Sequence, residues 1–141
     1  MSDAGKPYRV FVVDDEHVIA SSLAEILCQR GFHATPFTEP LEALRAARSE
    51  FPDLLISDVA MPVLSGIELA TQVQGHCPNC KVLLFSGQLS TIHLLEAARE
   101  YGRDFVVLQK PVHPTDLLKK IQMQLGIQAP LGTEAQLEIG S

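Results

Sequence analysis

Residues 11–16 read FVVDDE, so three carboxylates directly follow three apolar residues. The apolar run extends upstream as YRVFVV over residues 8–13, a composition that favours a β-strand. Carboxylates at the end of a buried strand repel one another and lose hydration, so they need a positively charged partner. The stretch therefore predicts a strand that ends at a polar site, whose other members come from elsewhere in the chain.

Strand and helix patterns alternate five times along the chain. Strand patterns are followed by helical patterns in the pairs 8–13 and 17–30, 32–37 and 38–49, 53–57 and 66–74, 81–86 and 90–101, and 105–109 and 114–126. Strands that alternate with helices of this length indicate a parallel sheet covered on both faces. We therefore predict an α/β fold, a doubly wound, flavodoxin-like five-stranded parallel sheet of order 2-1-3-4-5 with five helices. Thr38 is the predicted N-cap of the second helix.

Polar residues stand at the carboxyl ends of four of the predicted strands. Asp14 and Asp15 follow the first strand, Asp58 ends the third, Ser86 the fourth and Lys110 the fifth. These ends share one edge of a parallel sheet, and ligand sites of open α/β sheets form there. One aspartate after a strand is usually a turn residue, but the same coincidence at four strands is rare. We therefore expect one pocket that holds all five side chains.

The charges in this pocket predict a divalent cation. Two unit charges ~4 Å apart repel by about 4 kcal/mol at an effective dielectric of 20, and Lys110 alone cannot offset three carboxylates. Mg²⁺ fits best, because it binds one or two carboxylates, keeps waters and pairs with substrate phosphates. This favours phosphoryl chemistry, with a carboxylate as nucleophile and with the metal, Lys110 and Ser86 stabilising charge on the transferring oxygens.

The chain resembles the receiver domain of two-component response regulators, including the single-domain chemotaxis type. The resemblance rests on four motifs that occur in the family's order and spacing: VVDDE (12–16), LLISDVAMPVLSG (54–66), LLFSG (83–87) and QKP (109–111). It implies a receiver domain over residues 7–126, an N-terminal extension over 1–6 and a C-terminal tail over 127–141 without an output domain.

The resemblance assigns the metal ligands. Asp58 is implied to be the phosphoacceptor and a ligand of Mg²⁺. Asp15 would coordinate the ion directly, Asp14 through water, and Ala60 through its backbone carbonyl. Glu16 is then a first-turn helix charge outside the site.

The resemblance also assigns the phosphoryl pocket and the switch. Lys110 and Ser86 would contact the phosphoryl group, and Gly87 would give it room. Pro111 would follow Lys110 through a cis peptide bond. The family usually carries an aromatic residue three positions before the lysine, where this chain has Val107, with Phe105 two residues earlier on the same strand face. The implied switch therefore couples Ser86 to Val107, or to Phe105 in place of the usual ring.

The implied function is that of a signalling module. A histidine kinase or a phosphotransfer protein would phosphorylate Asp58, and the new charge would shift a two-state equilibrium. The face formed by segments 90–101, 105–109 and 114–126 would then contact a downstream protein target or a second copy of the chain. The alternative is an intermediate phosphotransfer protein in a phosphorelay.

Two rival functions fit the residues less well. A Mg²⁺-dependent hydrolase with an aspartyl-phosphate intermediate usually carries D-x-D after its first strand and a cap domain. Here Asp14 and Asp15 are adjacent, and the expected nucleophile lies on the third strand. An unphosphorylated scaffold would not need the full polar set. We therefore expect a receiver that phosphorylates itself and slowly dephosphorylates itself, not a turnover enzyme.

Composition limits the partners further. The net charge is −6 and no basic run occurs, which argues against direct nucleic-acid binding. No apolar run approaches the ~20 residues of a membrane span, and the N-terminus lacks the apolar core of a signal peptide, so we expect a cytoplasmic protein without membrane contact. HCPNC (76–80) has too few ligands for structural zinc, and we expect it to be a loop with reduced thiols.

Overall fold

The chain folds around one parallel sheet. The structure, a computed structural model, describes residues 7–87, Glu96, Arg99 and residues 105–127. Within these residues the strands are β1 Arg9–Val13, β2 His33–Phe37, β3 Leu54–Asp58, β4 Lys81–Ser86 and β5 Val106–Gln109. Their order is β2-β1-β3-β4-β5 and all pairs are parallel, so the predicted order 2-1-3-4-5 is confirmed.

Helices connect the strands. Within the described residues they are α1 His17–Gln29, α2 Pro40–Glu50, α3 Gly66–His76 and α4 Pro114–Leu125. The predicted helix over residues 90–101 lies outside the described residues except for Glu96 and Arg99, which are both helical. None of the helices described for this chain has the length and apolar character that crossing a membrane requires.

The N-cap predicted for the second helix is wrong. Glu39, not Thr38, occupies the N-cap of α2, and its side chain makes no capping hydrogen bond to the described residues. Pro40 supplies the first turn of the helix instead, because its fixed φ is helical and it has no backbone N–H to satisfy.

Both faces of the sheet are buried, because successive strand residues point to opposite sides. Phe11 and Val13 of β1 belong to a core with α2 and α3, which we call the α2/α3 core. Val10 and Val12 belong to a second core with α1 and α4, the α1/α4 core. This double burial explains why the central strands read as continuous apolar runs.

Backbone hydrogen bonds extend the ladder just past the strand ends and fix the residues there. The Asp14 N–H donates to the Phe37 carbonyl at 3.0 Å, and the Lys110 N–H donates to the Ser86 carbonyl at 2.8 Å. The Val59 N–H, next to Asp58, donates to the Phe85 carbonyl at 2.9 Å. The polar ends of four strands are thereby held at one edge of the sheet.

Gly66 allows α3 to begin against the end of β3. Its N–H donates to the Val59 carbonyl at 2.9 Å, and a Cβ at this position would overlap the backbone carbonyl oxygen of Asp58. The Ser65 hydroxyl accepts from the Glu68 N–H while the Glu68 carboxylate accepts from the Ser65 N–H, which closes a capping box. A larger residue at position 66 would therefore push α3 away from Asp58.

We predict that Gly66→Ala destabilises the protein by about 1–3 kcal/mol, because the added methyl group meets rigid backbone. Displacement of Asp58 should also slow the phosphorylation that the family resemblance implies for this residue. Chemical denaturation and phosphorylation by acetyl phosphate measure the two effects.

Gly75→Ala is the matched control, since it lies on the same helix and its Cβ would meet no described atom within 4 Å. It should be neutral or stabilising by up to about 1 kcal/mol. Equal stability of the two variants would contradict the close contact at Gly66.

Candidate functional site

Three carboxylates meet at the carboxyl ends of β1 and β3. Asp14, Asp15 and Asp58 each offer an oxygen, and these oxygens all lie within 4.8 Å of one another. Asp14 and Asp58 are buried, whereas Asp15 is exposed. The adjacency of β1 and β3 in the sheet brings these distant parts of the sequence together.

Lys110 contacts the two buried carboxylates. Its Nζ lies 3.2 Å from Oδ2 of Asp58 and 3.7 Å from Oδ2 of Asp14. The Lys110–Pro111 peptide bond is cis, as the family resemblance implied. One ammonium group therefore faces three carboxylates, which leaves a net negative charge at this edge.

Burial disfavours the charged form of the Asp14 carboxyl group. Burial raises the pKa of its carboxyl group, and the nearby Asp58 and Asp15 raise it further. The Glu16 N–H, which donates to Oδ1 at 2.9 Å, and the Lys110 ammonium oppose this rise. The other oxygen, Oδ2, is buried and has no hydrogen-bond partner among the described residues, because 3.7 Å to Lys110 is too long for a hydrogen bond.

These features fit a divalent cation. Buried polar atoms normally have a partner, and a carboxylate oxygen without one is a suitable ligand for a hard cation. Asp14, Asp15 and Asp58 would hold the ion. Ala60 is exposed two positions after Asp58, and its role as a carbonyl ligand stays a prediction.

Ser86 and Gly87 end β4 beside the acidic group. Ser86 is buried and pairs in register with Gln109. Gly87 is exposed, and a Cβ there would only make ordinary contacts with the Lys110 side chain at 3.9 Å. The described residues therefore leave space for a methyl group at position 87, and the role of Gly87 in giving a phosphoryl group room stays a prediction.

The two candidate switch residues share one environment. Phe105 and Val107 are half-buried and pack on the α2/α3 core. Phe105 directly precedes β5, and Val107 pairs in register with Leu84. Both lie on the same side of the sheet, as the sequence indicated, and their role in switching stays a prediction.

Ser57 is a supporting residue that the sequence did not single out. Its side chain is fully buried, and its hydroxyl donates to the Asp58 carbonyl at 2.9 Å. A Cβ at Gly66 would also come within 3.0 Å of this hydroxyl. A serine inside an apolar strand was the available signal, but only the fold shows which carbonyl it binds.

An apolar groove of about 660 Å³ lies next to Lys110, between α1 and α4. Val18 and Ile19 of α1 line it, together with Leu117 of α4 and Gly87 beside the site. The sequence signal for this groove lies in α1, which carries more apolar residues than its buried stripe of Ala20, Ala24 and Leu27 requires. Val18 and Ile19 are additional apolar residues outside this stripe, and Val18 is 73% exposed.

The cysteine motif contributes nothing to this site. Cys77 and Cys80 belong to the α2/α3 core, and they precede β4 whereas the site follows it. Burial raises the pKa of both thiols, that of Cys80 to about 12. His17 is a first-turn residue of α1, and its ring Nε2 lies 3.5 Å from the Ser21 hydroxyl.

Comparisons with known proteins agree with this geometry. Residues 10–122 match the family profile described as the response regulator receiver domain. The response regulator receiver protein CpdR of Brucella abortus is 30% identical over 117 residues, which are 83% of this chain and 96% of CpdR. The phosphoglycerate transport system transcriptional regulatory protein PgtA of Salmonella typhimurium is 31% identical over 80% of this chain, which spans only 27% of PgtA.

A solved structure supports the same assignment. The CheY-like receiver domain protein from Methanospirillum hungatei superposes with a TM-score of 0.76 at 29% identity. The match covers 86% of this chain and 95% of that protein.

We predict that Asp14→Asn stabilises the metal-free protein by about 1–2 kcal/mol, because it removes a charge that burial disfavours. Asn keeps an oxygen that can accept from the Glu16 N–H. The raised pKa means that the folded chain holds the Asp14 proton more tightly than the unfolded chain. The unaltered protein should therefore lose stability as pH rises from the ordinary Asp range through the raised pKa, and the variant should not.

Urea unfolding without metal across acidic to neutral pH measures this effect. Glu16→Gln is the control, since Glu16 is exposed and its side chain makes no capping hydrogen bond to the described residues. If Asp14→Asn is less stable than the unaltered protein without metal, burial does not disfavour the Asp14 charge as we infer.

Proposed function

This chain belongs to the response regulator receiver family, and on that premise we propose that Asp58 accepts a phosphoryl group from a phosphohistidine. One observation carries the proposal: Asp58 contacts the Lys110 ammonium at 3.2 Å inside a group of three carboxylates. The same edge of the sheet thus supplies a nucleophile, a cationic partner and ligands for a divalent cation.

Accessibility favours Asp58 over the other two carboxylates as the nucleophile. The Asp14 side chain is 3% exposed and one of its oxygens accepts from Glu16, whereas the Asp58 side chain is 12% exposed. Asp15 is exposed, so water competes with protein groups for contact with its carboxylate. Asp58 is therefore the carboxylate that a donor can reach while Lys110 and its neighbours still surround the reacting oxygens.

The reaction we propose transfers the phosphoryl group to an oxygen of Asp58. The carboxylate oxygen attacks phosphorus, the P–N bond to the donor imidazole breaks, and the imidazole leaves with the bonding electron pair. Lys110 offsets negative charge on the phosphoryl oxygens, and the Ser86 hydroxyl donates to one of them. Mg²⁺ held by Asp14, Asp15 and Asp58 would supply further charge neutralisation on those oxygens.

Phosphorylation would then change the charge balance at the ends of β4 and β5. Lys110 contacts Asp58 through its side chain and Ser86 through its backbone N–H. A phosphoryl group on Asp58 would therefore affect both β4 and β5. Val107 or Phe105 would transmit the shift to the face formed by segments 90–101, 105–109 and 114–126. We propose that this face contacts a downstream protein or a second copy, and that residues 7–126 act as the receiver unit.

The groove between α1 and α4 suits the phosphodonor protein. The donor histidine has to reach Asp58, so the donor must cover the surface next to Lys110. Val18 and Gly87 line the groove together with Lys110. We propose that an apolar helix of the donor packs on Val18 while its phosphohistidine faces Asp58.

We predict that acetyl phosphate and Mg²⁺ add one phosphate to the chain and that Asp58→Asn abolishes the addition. The reason is that, among the carboxylates the structure describes, Asp58 alone combines access with a close Lys110 contact. Intact-mass spectrometry gives the stoichiometry. Asp116→Asn is the control, because Asp116 is an exposed first-turn residue of α4. Undiminished phosphorylation of Asp58→Asn, or none in the unaltered chain, would refute the assignment.

The donor in this test is a phosphohistidine protein that phosphorylates the unaltered chain. Val18→Asp should slow transfer from this donor about tenfold, which corresponds to a free-energy loss of roughly 1.4 kcal/mol. Its rate with acetyl phosphate should not change, because the small donor needs no docking surface. Initial rates with both donors measure the difference.

Leu41→Asp is the matched control, since Leu41 is a 49% exposed apolar residue on α2, which packs on the opposite face of the sheet. Equal slowing by both variants, or slowing with both donors, would argue against docking at Val18.

A further inference from the structure

Cys77 and Cys80 form a pair of thiols that the phosphoryl chemistry does not use. They lie between the end of α3 and the start of β4, at the edge of the sheet opposite Asp58. Both are free and buried, with 6% and 2% exposure.

The backbone holds the two cysteines at the ends of one tight turn. The Cys80 N–H donates to the Cys77 carbonyl at 3.0 Å across Pro78 and Asn79. Such a four-residue turn keeps its first and last Cα atoms within about 7 Å. A disulfide usually requires a Cα separation of about 4.4–6.8 Å, so the turn can accept one with little backbone movement.

The two side chains also share one environment. Both belong to the α2/α3 core, where the Cys77 Sγ donates to the Ala47 carbonyl and the Cys80 Sγ donates to the Lys81 carbonyl. After burial, the next cause that raises the pKa of Cys80 is its interaction with Cys77. The two thiols therefore share one core at the two ends of the same turn.

A metal is a weaker explanation for this pair. Within the residues that the structure describes, the cluster of three or more possible metal-ligating side chains is the aspartate group at the other edge. His76 is exposed and does not join the two thiols in such a cluster. A bond between the two thiols, in contrast, needs no third ligand.

We propose that Cys77 and Cys80 close into an intramolecular disulfide in the folded protein when a small disulfide such as oxidised glutathione is present. The Cys77 thiolate attacks one glutathione sulfur, and the other glutathione leaves as a thiolate. The Cys80 thiolate then attacks the Cys77 sulfur and displaces the second glutathione. The protein loses two electrons and two protons, and the oxidised glutathione becomes two thiols.

Cys28 should not take part in this bond. It is exposed near the end of α1, and α1 packs on the α1/α4 core. The sheet therefore separates Cys28 from the pair. Cys28→Ser removes a thiol that could link two chains while leaving Cys77 and Cys80 untouched.

The test uses the full chain with Cys28→Ser. The folded protein is incubated at about pH 8 with oxidised glutathione, and the reaction is quenched with acid. The protein is then denatured and its remaining thiols are alkylated. The expected product is a monomer that has lost two hydrogens, takes up no alkylating agent and yields one peptide with linked Cys77 and Cys80. The same protein in denaturant gives the reference rate. If the folded chain keeps both thiols, or stops at a glutathione adduct, while the denatured chain forms the bond, the proposal is wrong.

Stability provides a second measurement that does not depend on the rate. A bond that fits the native turn should raise the ratio of folded to unfolded protein by on the order of tenfold, because it restricts the unfolded chain. Urea unfolding of the oxidised and reduced Cys28→Ser proteins gives this ratio. A lower ratio in the oxidised protein would show that the native turn does not accommodate the bond. Cys77→Ala in the same background should form no intramolecular bond and gain no stability on oxidation.

Discussion

The repulsion among Asp14, Asp15 and Asp58, only partly offset by Lys110, is the constraint on which the rest of this structure depends. The sheet places β1 beside β3, which crowds the carboxylates, and it places β5 beside β4, which delivers the ammonium. A site of this kind opposes folding, since burial raises the pKa of Asp14 and leaves one of its oxygens without a hydrogen-bond partner among the described residues. The two apolar cores on either face of the sheet hold the strands in place against that cost. A divalent cation held by the three carboxylates would relieve this repulsion.

Much of this arrangement could be predicted from the sequence, because it follows from local patterns. Alternating strands and helices indicated the parallel sheet, and polar residues at the strand ends indicated one edge. The features that were missed depend on contacts between distant segments. The overlap that a side chain at Gly66 would make with Asp58, and the hydrogen bond from Ser57, appear only once α3 is packed on β3. The N-cap of α2 was misassigned for a local reason, since Thr38 is a good capping residue but Pro40 fixes the helix start.

The two ends of the sheet have opposite character. At the carboxyl end three carboxylates and one ammonium group are crowded together, and Asp15 and Lys110 remain partly open to solvent. At the other end Cys77 and Cys80 are buried in the α2/α3 core, and this burial raises the pKa of both thiols. α3 connects these ends, because it starts at Gly66 against Asp58 and finishes next to Cys77.

The most direct test of the account is the unfolding temperature of the unaltered chain as a function of Mg²⁺ concentration. A ligand that binds only the folded state raises stability in proportion to the logarithm of its concentration above its dissociation constant. Because the ion relieves the repulsion among the three carboxylates, the account predicts a steady rise in the unfolding temperature, which Asp15→Asn should largely remove. An unfolding temperature that does not change with Mg²⁺, or that rises equally in Asp15→Asn, would contradict it.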